Sequence, residues 1–215
     1  MAQGRPAGRH FGSVLEGDNA HLMVTIANLY LTGSVLDCTY GEGAWWRRWR
    51  PGDFVAHDLK TDGVDFRALP EADNSVDTVC FDPPYTPHGR PQTLQSSRFA
   101  ERYGLDKPRN VVAIDELVRG GLEECHRVAR RWVLFKCTDY VHGRQLRLAH
   151  QIYATMATDI GLRLHDLIVH HSGPGPGGPT GVNQIRARRH HSYLLVFSVD
   201  QRTQRLDPTE GCHPK

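Results

Sequence analysis

Two adjacent prolines, Pro83 and Pro84, follow the apolar run Val76-Asp77-Thr78-Val79-Cys80-Phe81 with one aspartate between, and they fix where that run must stop. Each holds φ near −65° and lacks a backbone donor, and a residue that precedes a proline is pushed out of the helical region. The run is too short for a helix and reads as a strand that leaves its sheet through a stiff, extended elbow. Asp82 then stands at a strand's carboxyl end, with the ring of Tyr85 held close behind it.

Upstream, Ser34-Val35-Leu36-Asp37-Cys38-Thr39-Tyr40-Gly41-Glu42-Gly43-Ala44-Trp45-Trp46 reads as a short buried strand, a Gly-punctuated turn and the start of a helix that runs from Gly43 to about Trp49. In an open α/β sheet such a turn lies in the crevice beyond the strand ends, where Gly41 and Gly43 let the backbone approach a ligand. The position after Trp46 is Arg47, so the dinucleotide pattern G-x-G-x-x-G is absent, and no P-loop lysine follows. These residues suit a nucleoside-like cofactor without a pyrophosphate.

Two acids fall at useful places. Asp53-Phe54-Val55-Ala56-His57-Asp58 reads as the second strand, and Asp58 lies about 20 residues past the end of the first, a spacing at which a carboxylate reaches ribose hydroxyls. Asp65 could accept from an adenine amino group while Phe66 packs on the ring. At the elbow, the Asp82 carboxylate and nearby carbonyls can accept hydrogen bonds from a planar NH2 group, and Tyr85 can stack on the heterocycle that carries it.

In this order the motifs resemble the S-adenosylmethionine-dependent amino-methyltransferases of the DNA adenine N6 and cytosine N4 type. The resemblance rests on Val35 to Gly43 as the cofactor loop, Asp58 and Asp65 as adenosine-binding acids, and Asp82 to Tyr85 as the catalytic motif. It extends to Leu122-Glu123-Glu124-Cys125-His126-Arg127-Val128 and to His190-His191-Ser192-Tyr193-Leu194-Leu195-Val196-Phe197, and so covers roughly residues 11 to 199. It implies a Rossmann-like methyltransferase fold: a mostly parallel seven-stranded sheet with an antiparallel hairpin at one edge and helices on both faces. It also implies S-adenosyl-L-methionine as cofactor, held by Asp37, Thr39, Gly41, Gly43, Asp58, Asp65 and Phe66, with Asp82, Pro83, Pro84 and Tyr85 as the catalytic set. The Asp-first motif is closer to adenine N6 than to cytosine N4 chemistry.

A chain of 215 residues fits one domain with a substantial core. Residues 1–10 and 201–215 are polar and read as flexible tails around a single domain, 11–200. Five cysteines, widely spaced and mostly in apolar runs, read as buried thiols of a cytoplasmic protein, and there is no C-x-x-C pair. The 13 histidines include the adjacent pairs His170-His171 and His190-His191, whose side chains diverge in a strand, so no metal site is expected. No apolar stretch is long enough to span a bilayer, and no membrane partner is expected.

Further along, apolar spacing predicts helices over Asn19–Leu31, Val111–Ala129 and Ala149–Gly161, and strands over Trp132–Cys137, Leu162–His170 and Ser192–Val199. The last two can pair antiparallel. Residues 86–110 lose periodicity and carry Arg90, Arg98, Arg102 and Lys107, as a substrate loop that tracks phosphates would. Residues 172–191 run from Gly/Pro-rich to basic, with Arg186, Arg188 and Arg189 as further nucleic-acid contacts. DNA is the expected partner and RNA the alternative, with guanine N2 or adenine N6 as the target there. Little of the chain is left for sequence recognition, so specificity is expected to be short, relaxed, or supplied by a partner or a homodimer. A catalytically silent scaffold of the same fold is the non-enzyme reading, and Gly41, Gly43, Asp58 and Asp82 stand against it.

Overall fold

The apolar runs become strands and the amphipathic runs helices, in a computed structural model that describes residues 10–85, 110–173, 186–187 and 189–199. In chain order these are β1 (Val14–Glu16), α1 (Asn19–Tyr30), β2 (Val35–Asp37), a 3-10 turn (Ala44–Trp46), β3 (Phe54–Ala56), β4 (Val76–Phe81), α2 (Val111–Val128), β5 (Ala129–Cys137), β6 (Tyr140–His142), β7 (Gln145–Arg147), α3 (Ala149–Ile160), β8 (Leu162–His171) and β9 (His191–Val199). Among the described residues a seven-stranded sheet has the order β1-β8-β9-β5-β4-β2-β3, and β6 and β7 form a separate ladder. β3, β2, β4 and β5 run parallel, β8 and β1 pair parallel, and β9 is antiparallel to both of its neighbours. This is a Rossmann-like, mostly parallel sheet whose antiparallel hairpin, β8–β9, lies toward one end.

The sheet is covered on both faces, which explains the unbroken apolar stretches of its central strands. On one face Phe81, Phe135 and Leu195 pack with Ile114, Leu117, Val118, Leu122 and Cys125 of α2 and with Tyr153 and Met156 of α3. On the other, Cys80, Leu134, Leu194 and Val196 pack with Leu22, Met23 and Ile26 of α1 and with Trp45, Trp46 and Trp49. The buried positions of α2 recur at helical spacing, and its first turn is closed by the Asn110 side chain, which accepts from the Ala113 N–H at 2.8 Å. Gly121 lets the helix approach the sheet: a Cβ there would stand 2.2 Å from Cζ of Phe81 and 2.9 Å from the Phe66 ring. α3 ends at Gly161, left-handed at φ +108°, as a C-cap glycine should.

Three features depart from the sequence expectations. The segment after Gly43 makes only the 3-10 turn Ala44–Trp46; Trp45, Trp46 and Trp49 turn inward, and Pro51 disfavours helical backbone at Arg50. β1 adds an outermost strand beside β8, so the β8–β9 hairpin is bordered rather than terminal. The hairpin β6–β7 fills what reads as an ordinary connection between β5 and α3. Both additions are built from three-residue strands, which leave almost no periodic signal. The expected tails, most of the 86–110 and 172–191 loops, and with them Arg90, Arg98, Arg102, Lys107 and Arg188, lie outside the described residues. Among the described residues no helix is long and apolar enough to cross a membrane.

Candidate active site

The chain runs from β2 outward to β3 and then returns to the other side of β2 as β4, so the sheet has its topological switch point between β2 and β4. Ligands of open α/β sheets bind in the crevice beyond the carboxyl ends at such a point. Two segments singled out from the sequence open onto it: the glycine turn after β2 and the proline elbow after β4. Register brings them together, because Asp37 pairs with Cys80 and the Cys38 N–H continues the ladder to the Cys80 carbonyl at 3.2 Å. Thr39 therefore stands beside Asp82, and the Asp82 N–H donates to Thr39 Oγ1 at 2.8 Å.

Two adjoining hollows share Thr39 and Asp82. The first is lined by Asp37, Thr39, Tyr40, Gly41, Glu42, Ala44, Trp45 and Asp82. The second is lined by Cys38, Thr39, Asp58, Leu59, Phe66, Asp82 and Pro84. The turn between them bends through Gly41 at φ +53° and Gly43 at φ +67°; a Cβ on Gly43 would lie 2.6 Å from the Tyr40 hydroxyl oxygen. Asp58, buried at the end of β3, accepts from the Gly41 N–H at 3.1 Å and from the Lys60 N–H at 3.0 Å. A carboxylate has about four acceptor sites, so two backbone bonds fix its position and leave capacity for hydroxyls.

Asp37 is more deeply enclosed. One oxygen accepts from the Thr39 N–H at 2.9 Å and the other from the Trp46 indole N–H at 2.6 Å. Its carboxyl is pushed up to about 7: burial raises it most, the donors from Trp46 and Thr39 oppose that rise, and the neighbouring charge of Asp82 adds to it. Asp65 is turned to Arg67, whose guanidinium takes both of its oxygens and holds the carboxyl below the usual range. At that point the second hollow is lined by Phe66, packed edge-on against Phe81 with ring centres 5.1 Å apart. Pro83 is buried, and Pro84 and Tyr85 are half-buried, with Tyr85 against the α2 face of the core.

The rim beyond Asp82 holds polar groups that the sequence reading missed. Lys136, buried at the end of β5, donates to the Asn19 side-chain oxygen at the start of α1. Burial pulls its ammonium below the usual lysine range, and the charge of Asp82 opposes that pull. Further along, buried Asp139 takes the His150 ring nitrogen at 2.8 Å and the Tyr193 hydroxyl at 3.3 Å, and the Tyr193 hydroxyl meets the His191 ring at 3.0 Å. The His150 and Tyr193 ring centres lie 4.2 Å apart, with the ring planes tilted by 30°. A charged residue inside the apolar run Trp132–Cys137 was the one sequence signal for Lys136; the Asp139 group unites residues from three elements and left none. Of the expected nucleic-acid residues, Arg186 and Arg189 are among those described, and both precede β9, which starts at this same rim. Among the described residues no cluster of three histidine, cysteine or acidic side chains could hold a metal ion.

No family model matches the sequence, and no curated protein matches it. The fold is similar to solved structures at low identity. A protein of Thermus thermophilus, described as a candidate DNA modification methylase and solved with S-adenosyl-L-methionine, is 15% identical over 85% of this chain and 58% of its own, with a TM-score of 0.44. The magnesium protoporphyrin IX methyltransferase of Synechocystis PCC 6803, also with bound cofactor, is 11% identical over 84% of this chain and 76% of its own, with a TM-score of 0.47. An S-adenosylmethionine-dependent methyltransferase of Methanosarcina mazei is 9% identical over 80% of this chain and 96% of its own, with a TM-score of 0.43. The chain spans little more than half the length of the Thermus protein, 54% to 58%.

Proposed function

We propose that this protein transfers a methyl group from S-adenosyl-L-methionine to the exocyclic N6 amine of adenine in DNA. The observation that carries the reading is the convergence of the Asp82 elbow and the Gly41 turn on one switch-point crevice, joined by the bond from the Asp82 N–H to Thr39. The crevice residues fit the cofactor chemically. Asp58, already fixed by two backbone donors, offers spare acceptors for ribose hydroxyls, and Phe66, Leu59 and Pro84 offer apolar surface for a purine. The cofactor supplies an electrophilic methyl group on a sulfonium centre.

The remaining work falls to Asp82 and its neighbours. The lone pair of a base amine is delocalised into the ring, so the amine is a poor nucleophile. Asp82 and a carbonyl of the proline elbow would accept its two N–H bonds, favour a pyramidal nitrogen and aim its lone pair. Positioning of this kind removes about 7–11 kcal/mol of barrier in favourable cases. Positive charge then grows on the nitrogen as its bond to the methyl carbon forms and the carbon–sulfur bond breaks; the Asp82 carboxylate stabilises it more as transfer proceeds, and one N–H proton leaves once the nitrogen carries the methyl group. The two prolines keep the carboxylate in place at the strand end, and Tyr85 would stack on a base drawn out of its duplex.

The test is to incubate duplex DNA and total RNA separately with methyl-labelled cofactor, digest to nucleosides, and identify the labelled base. Label in N6-methyladenine from DNA is expected. Label in RNA alone moves the substrate to RNA, and label in N4-methylcytosine moves it to that amine. Asp82→Ala is expected to lower transfer at least about 100-fold while cofactor affinity, by calorimetry, stays within a few fold. A variant with full turnover would remove Asp82 from the chemistry.

A further inference from the structure

The hairpin β6–β7 leaves the carboxyl end of β5 directly after Asp139 and so rises from the rim that carries Asp82. Its strands pair Tyr140 with Arg147, Val141 with Leu146 and His142 with Gln145. Alternation then gives it two unlike faces. Tyr140 packs on the core and Arg147 is tied to Asp115 of α2, so that face is seated on the protein. Val141 and Leu146 point the other way and are each 43% exposed, an apolar pair in water.

The tip is a two-residue turn with both residues left-handed, Gly143 at φ +58° and Arg144 at φ +66°. Glycine and asparagine are the residues that suit these positions; an arginine there is strained. The other non-glycine residue with positive φ among those described is Asn74, where the type is comfortable. Backbone strain retained at an exposed tip points to a use for the side chain it carries. The surroundings are basic as well. The Arg186 guanidinium donates to the Arg144 carbonyl and brings two arginines 42 positions apart in sequence to one place. Arg189 stands just before β9, whose first residues His191 and Tyr193 lie on the rim beside Asp139, so this patch adjoins that rim.

We propose that the β6–β7 hairpin is a polynucleotide-binding element: Arg144 at its tip, with Arg186 and Arg189 beside it, holds backbone phosphates of the strand flanking the target nucleotide, and Val141 and Leu146 rest against its sugars and bases. This rests on the nucleic-acid reading of the site and extends it to an element outside the crevice. Phosphate contacts position a strand without reading its sequence, as a chain with little recognition apparatus requires.

The test uses the full-length protein and fluorescently labelled 20-nucleotide single-stranded DNA, duplex DNA and single-stranded RNA, with affinity followed by anisotropy over a series of KCl concentrations. Arg144→Asn is the principal variant, because it suits the turn and removes the charge. It is expected to keep or raise the thermal midpoint, leave S-adenosylmethionine affinity unchanged, weaken binding of the preferred polynucleotide about tenfold, and reduce the slope of log affinity against log salt by about 1. Arg163→Gln removes the same charge at the opposite end of β8, where Arg163 is exposed; it is expected to change neither. Equal affinity and slope for wild type and Arg144→Asn overturn the proposal, as do equal losses in the two variants, which would report net charge alone. Cofactor binding with no affinity for any of the three polynucleotides also overturns it, and leaves the methyl-transfer crevice standing.

Discussion

Asp37 is a carboxyl group that the fold surrounds with donors and denies water. Its two oxygens accept from the Thr39 N–H and the Trp46 indole, and so brace the turn between β2 and the glycines. Its pKa rises from 3.8 to about 7 on folding, chiefly through burial. The folded state therefore binds the proton more tightly than the unfolded chain. The stability this contributes is complete below the unfolded pKa and is lost as pH rises through about 7, at about 1.4 kcal/mol per pH unit. Asp37→Asn does not titrate. Its thermal midpoint, measured against wild type from pH 4 to pH 8, is expected to gain about 5 °C or more on the wild type across that range. A constant difference would mean that Asp37 ionises as an exposed aspartate does. The sequence placed Asp37 at the cofactor turn by position, since an acid closes the apolar run there. It gave no sign that Trp46 would close over that acid, because the contact depends on how the 3-10 turn folds back on the strand.

Elements were legible where burial imposes a period and obscure where a few contacts decide. Helices α1, α2 and α3 and the central strands were read to within a few residues, because each presents an apolar face to one sheet. The segment Phe66–Asn74, which carries one wall of the crevice, has no such face and is held instead by Arg127 of α2. That guanidinium uses all five of its N–H groups: Nε and one terminal nitrogen grip Glu124, and the rest reach the Leu69 and Glu71 carbonyls and Asp73. A lysine has three donors and no fork, so the substitution is not conservative. Arg127→Lys is expected to lower unfolding stability by about 2–3 kcal/mol in a urea titration and to weaken cofactor affinity through the displaced Phe66. Unchanged stability would mean that water serves those acceptors as well as Arg127 does. From sequence, Arg127 was one basic residue in a helix, and its role appears only when the loop from β3 to β4 lies across it.

At the scale of the whole molecule, the crevice joins parts that are distant along the chain: the turn after β2, the loop after β3, the elbow after β4 and the Phe66 segment under α2. A ligand that touches all of them binds the folded state and not the unfolded chain, so its free energy of binding is added to stability. At a cofactor concentration about 100 times Kd the gain is about 2.7 kcal/mol, and a domain of this size shifts its midpoint by about 2–4 °C per kcal/mol. S-adenosylmethionine is therefore expected to raise the wild-type midpoint by about 5–10 °C in a calorimetric scan. The variants separate the two halves of the site. Asp58→Ala loses the carboxylate that ties the Gly41 turn to the end of β3 and should abolish most of the shift. Asp82→Ala should keep it, because that side chain is assigned to the acceptor amine. A full shift in Asp58→Ala would take the cofactor away from the β3 side of the crevice. Loss of the shift in Asp82→Ala would make the elbow part of the cofactor site, and the amine would then need another carboxylate.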